Sequence, residues 1–201
     1  MKKIISIIMM SSLFSGTVFL GFDASSEFEV SQSGYSFDRD FDKGAGVIGY
    51  IHPISWNGNM GFDIGIDYTA MPFHLEGGEN CVDEYYRDHD NCDPYLEEDY
   101  EVLSIYLLPT FSLNQDLVAW FRLGVNKVMD APYGMNEDMS VGMTYGIGAD
   151  YKFGKNTILG LGYIVGTVEY KSIDEGYYED EVDTYDISFT SFRFNIGYML
   201  D

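Results

Sequence analysis

The chain has 201 residues, one domain's worth, with 46% hydrophobic residues, 16% aromatics and a formal net charge of -22. Its 33 acidic side chains against 11 basic ones leave no positive face to neutralise phosphates, which excludes nucleic acid as a partner. Disorder is excluded as well, because 17 Tyr and 14 Phe are far more apolar surface than a disordered chain carries.

Lys2 and Lys3 precede an uncharged run from Ile4 to Phe22, interrupted by Ser11, Ser12, Ser15, Gly16 and Thr17. This pattern predicts a secretory signal peptide over residues 1–24, cut after Ala24, and one domain over residues 25–201. Export implies an oxidising compartment, where the two cysteines, Cys81 and Cys92, are expected to form a disulfide. His89 lies between them, but two Cys and one His without a Cys-x-x-Cys pair make a poor zinc set, so no metal site is assigned and no cofactor is expected.

Beyond the leader, segments of about ten residues alternate with period two, the signature of strands. Two strands are expected around 27–37 and 44–54, although Val47, Ile48, Tyr50 and Ile51 do not settle on one parity. Next, Phe62, Ile64, Ile66 and Tyr68 oppose Gly61, Asp63, Gly65, Asp67 and Thr69. Leu103, Ile105, Leu107, Pro109, Phe111 and Leu113 oppose Ser104, Tyr106, Thr110 and Ser112, and Leu117, Ala119, Phe121, Leu123 and Val125 oppose Arg122, Gly124 and Asn126. The clearest strand sets Val141, Met143, Tyr145, Ile147, Ala149, Tyr151 and Phe153 against Gly142, Thr144, Gly146, Gly148, Asp150 and Lys152. Leu159, Leu161, Tyr163 and Val165 then oppose Gly160, Gly162 and Gly166, and Phe192, Phe194, Ile196, Tyr198 and Leu200 oppose Ser191, Arg193 and Asn195.

Residues 55–59, 114–116 and 154–156 are short turns, whereas 38–43, 74–99, 130–139 and 172–184 are polar and mostly longer. Long and short connections alternate along eight strands, so the long loops share one end of the sheet and both termini the other. The expected fold is all-β: a closed, antiparallel, eight-stranded up-and-down barrel, just wide enough to be filled by its own side chains. A soluble barrel would point its apolar residues inward and carry many Lys and Glu outside. Here the second face is rich in Gly with isolated charges, which suits a cramped interior and leaves the apolar face to lipid.

The alternating short and long connections and a final strand reading FRFNIGYML over residues 192–200 resemble the small outer-membrane barrels of Gram-negative bacteria. That group includes the OmpA transmembrane domain, OmpX, Ail and the opacity proteins. The resemblance is one of architecture and covers essentially the whole mature chain. It implies a location in the outer membrane with the long loops extracellular, lipid and lipopolysaccharide as surroundings, and a last strand read by the barrel assembly machinery. The chain departs from the usual terminal Phe, because Leu200 takes that place and Asp201 follows it.

Some small barrels of this kind are lipid A acyl-chain enzymes, which would need an activated Ser beside a His with an acidic orienter. His52 lies near a short turn, neither His74 nor His89 has a Ser within three residues, and no His follows position 89. A non-enzymatic protein is therefore expected. Asp63, Asp67, Arg122, Asp150, Lys152 and Arg193 share the inward parity and are expected to form a lumen ion-pair network, either a plug or the gate of a narrow channel. In the long loops Tyr85, Tyr86, Asp88, Asp90, Asp93 and Tyr95, together with Asp174, Glu175, Tyr177, Tyr178, Glu179 and Asp180, interleave acids with tyrosines. Tyrosine on polar loops is contact chemistry. The expected role is attachment to a host or environmental surface ligand, with calcium as a counter-ion; the alternatives are a structural barrel or a narrow porin-like channel.

Overall fold

The computed structural model describes residues 15–32, 35–40, 44–76, 95–130, 141–174 and 181–200. The strands are β1 (Gly16–Gln32), β2 (Tyr35–Asp40), β3 (Ala45–Asn57), β4 (Met60–Glu76), β5 (Tyr95–Ser112), β6 (Leu117–Asp130), β7 (Gly142–Phe153), β8 (Thr157–Asp174) and β9 (Glu181–Leu200). Neighbours along the chain pair antiparallel from β3 to β9, and β9 returns to β1, with Gly16 opposite Leu200. β9 occupies one edge of β1 almost throughout, so β2 and β3, which pair with Glu27–Gln32 and Thr17–Asp23, share the other edge. They are two parts of one interrupted strand, and the sheet closes as an eight-stranded barrel without edges.

The first strand is not where the sequence pattern put it. Residues 16–24, assigned above to the leader, form the first half of β1, and 27–37 spans the end of β1 and the start of β2. Residues 38–40 belong to β2 and are not part of a hairpin connection. The reason is visible in the residues: Leu20 and Phe22 are exposed outside the barrel while Phe19 and Asp23 are buried within it. Period two was present, but an uncharged apolar run beside the N-terminus is also what a leader offers. The cut expected after Ala24 falls within this strand.

At the turn end the connections are tight. Gly58 and Gly154 adopt φ of 66° and 74°, which L side chains rarely do. Asn114 holds the third turn by accepting hydrogen bonds from the backbone N–H of Asp116 and Leu117 at 2.8 and 2.9 Å.

The expected polarity holds on the strands where it was assigned. Ile147 is 59% exposed and Phe194 53% exposed on the outside, whereas Asp67 and Arg122 are buried inside. Phe111, Tyr151, Phe153 and Tyr198 face outward within a few residues of the short turns, an aromatic belt at one interface. An apolar exterior around a polar interior is the arrangement of an outer-membrane β-barrel, and the chain spans the membrane by its strands. The interior is not wholly polar, because Val102, Leu108, Val118, Ile164, Val168 and Phe189 are also buried there.

Large inward rings are accommodated by glycines in the same cross-strand row. Tyr106 pairs with Gly65 and Gly124, and Trp120 with Gly148, which pairs in turn with Gly162. A Cβ at Gly65 would stand 2.1 Å from the Tyr106 ring, and one at Gly148 2.2 Å from Trp120. The inward glycines that mark the sequence are thus the floor on which these rings lie.

Candidate functional site

Two layers of polar side chains cross the lumen. In the middle layer Asp67 accepts hydrogen bonds from Arg122 Nη1 at 2.5 Å and from Arg193 Nη1 at 2.8 Å, and Tyr106 donates to the same carboxylate. Arg193 also donates through Nε and Nη2 to Asp23, at 2.8 and 3.0 Å, and to Thr69 Oγ1 at 3.3 Å. Arg122 donates through Nε to Thr144 Oγ1 at 3.1 Å, and its guanidinium carbon lies 3.8 Å above the centre of the Tyr106 ring. Two aspartates meet two arginines, so the layer is neutral, and its members come from β1, β4, β5, β6, β7 and β9. Buried charges persist only when paired and hydrogen-bonded in this way.

The network is therefore Asp23, Asp67, Arg122 and Arg193, which corrects the expected set. Asp23 lies within the segment that the sequence pattern assigns to a leader. Asp63, Asp150 and Lys152 share the inward parity but form no ion pair with this layer among the described residues. Height explains it: Asp63 is four residues from Asp67 along β4, roughly 13 Å nearer the short turns. Parity gives the face of a strand, not its level in a tilted barrel.

Asp63, Asp150 and Lys152 instead line a cavity of about 290 Å³ at the turn end, together with Thr110, Trp120 and Asn195. The Trp120 indole donates to Asp150, while Asp63 Oδ1, Asp150 Oδ1 and Thr110 Oγ1 are buried without a partner. Between this cavity and the loop end stands the ion-pair layer, with spaces of only about 10 and 30 Å³ beside it. Each holds on the order of one or two waters. The described lumen is shut at its middle.

At the loop end, Tyr95 begins β5 opposite Glu76, and Asp174 ends β8 opposite Glu181. Tyr85, Tyr86, Asp88, Asp90, Asp93, Glu175, Tyr177, Tyr178, Glu179 and Asp180 lie outside the described residues, as do Cys81 and Cys92 and their expected disulfide. His52, near the short turns, lies within hydrogen-bonding distance of the Ser15 carbonyl, at 2.9 Å, and of the Tyr50 hydroxyl, at 3.2 Å.

No protein-family model and no curated sequence matches the chain. Among the solved structures that align with it are outer-membrane proteins and a designed transmembrane β-barrel. The attachment invasion locus protein Ail of Yersinia pestis is 15% identical, with 92% of this chain and 99% of that one covered and a TM-score of 0.47. Neisserial surface protein A is 14% identical, covering 91% and 98%, with a TM-score of 0.49. The outer membrane protease OmpT of Escherichia coli is 9% identical, covering 92% and 96%, with a TM-score of 0.43.

Proposed function

We propose that this outer-membrane barrel is non-enzymatic and acts at its loop end, presenting acidic, tyrosine-bearing segments for attachment to a host or environmental surface. The observation that carries this reading is the contrast between a lumen shut by its own ion pairs and strands that continue far past the apolar band. A strand of about 9–11 residues crosses a membrane. β4 has 17 residues, β5 and β8 have 18 each and β9 has 20, and the excess lies on the loop side.

Those extensions are acidic. Register sets Glu27 opposite Asp40, Glu29 opposite Asp38, Glu101 opposite Asp130, Glu169 opposite Asp186 and Asp174 opposite Glu181. Calcium, among the divalent cations that bridge lipopolysaccharide phosphates, is the proposed counter-ion for such acids.

The test replaces residues 77–94 with a two-residue turn, which leaves Glu76 and Tyr95 as the last pair of their hairpin. Cells displaying this variant should lose adherence to host cells, matrix or serum-coated surfaces while the barrel keeps its heat-modifiable gel mobility. Unchanged adherence would instead favour a barrel that only stabilises the outer membrane.

A further inference from the structure

The turn-end cavity has no part in surface attachment, yet it is a built pocket. Its volume of about 290 Å³ is near the lower end for small-molecule sites, roughly 300–1,000 Å³. Ser15, Gly16, Thr17, Met199 and Leu200 lie along its wall, and these are the strand ends at the short-turn side, so it opens toward the periplasm and is closed above by the Arg122 and Arg193 layer.

We propose that this cavity binds a small organic ammonium ion, its charged head between Asp63 and Asp150 and its carbon chain against Trp120, Leu108 and Val118. Asp63 and Thr110 are each only 8% exposed, yet Asp63 Oδ1 and Thr110 Oγ1 lack partners, as does Asp150 Oδ1. Acceptors left open in a low-dielectric lumen call for a donor. Charge points the same way. Asp63 and Asp150 face one ammonium, Lys152, and among the described residues no ion pair joins it to either; a monocation restores neutrality.

The cation is organic because the site is poor for a metal. The described residues contain no group of three or more His, Cys, Asp or Glu that would hold one, whereas calcium takes about 6–8 oxygens. The wall is also largely apolar, with Phe19, Ile51, Leu108, Val118 and Ile158, which suits a carbon chain. Trp120, held by its hydrogen bond to Asp150, adds an aromatic face for the cation.

The test uses the whole barrel in detergent micelles, with Trp56→Phe so that Trp120, the other of the chain's 2 tryptophans, is the sole indole. Titration with n-butylammonium chloride should change its fluorescence saturably, whereas n-butanol and magnesium chloride at matched ionic strength should not. Asp63→Asn and Asp150→Asn, checked for heat-modifiable mobility, should each weaken binding about tenfold or more. The proposal is overturned if butylammonium gives no saturable change, if butanol or magnesium gives an equal one, or if both variants bind undiminished. Should the variants fail to fold, the comparison of butylammonium with butanol on the unsubstituted cavity decides alone.

Discussion

Asp23 and Arg193 stand directly opposite each other where β1 closes on β9, and the Arg193 guanidinium donates to both Asp23 carboxylate oxygens. The pair joins the first strand to the last across the lumen side of the seam. Asp23→Ala would leave Arg193 buried with Asp67 as its only carboxylate. Breaking a buried pair in this way costs about 3–5 kcal/mol, so the urea midpoint of the folded gel band should fall markedly. A chain beginning at Gly16 should fold, and one beginning at Ser25 should not. An unchanged midpoint for Asp23→Ala would remove the pair from the account of closure.

The rows of glycine beneath inward rings make a second prediction. Gly148→Ala would place a Cβ 2.2 Å from the Trp120 ring, which lies across Gly148 and Gly162 alike. Overpacking of this kind costs about 1–3 kcal/mol. The effect should appear in the same urea titration and should shrink when Trp120→Leu is added. Additive losses in the double variant would show that glycine and ring do not meet.

Strand count, antiparallel order and the polarity of the two faces were legible because period two is imposed by the backbone and because lipid and lumen demand opposite chemistry. The tight turns were legible through residues that accept turn geometry, such as Gly58, Asn114 and Gly154. The first strand was obscured, since Gly16 to Asp23 satisfies both a leader's composition and a strand's alternation. Which inward charges meet was only half legible: Asp67, Arg122 and Arg193 share a level, but Asp63 and Asp150 lie lower. That difference depends on strand tilt and register, which no single segment encodes. Trp120, which follows the inward parity between Val118 and Arg122, was the signal for the cavity that the sequence reading passed over.

The outward face yields a prediction that separates lipid from water as its surroundings. Ile147 is 59% exposed, and in a soluble barrel arginine there would be nearly neutral. On a lipid-facing strand Ile147→Arg should destabilise by about 2–4 kcal/mol if near the midplane. Folding equilibria in lipid vesicles would measure it, and a change within about 0.5 kcal/mol would contradict a lipid-facing position.

The acidic second loop is expected to depend on its cysteines. Reduction, or Cys81→Ser, should make residues 77–94 easier to cleave with protease while the barrel persists, and calcium should slow the cleavage. Equal rates before and after reduction would count against the disulfide, and indifference to calcium against a role as counter-ion.

Asp23, Asp67, Arg122 and Arg193 seal the lumen at its middle. Planar-bilayer recording of the purified barrel tests this most directly. The account predicts no steady conductance from the unsubstituted chain. A steady, ohmic current from it would contradict the sealed lumen and restore the channel reading.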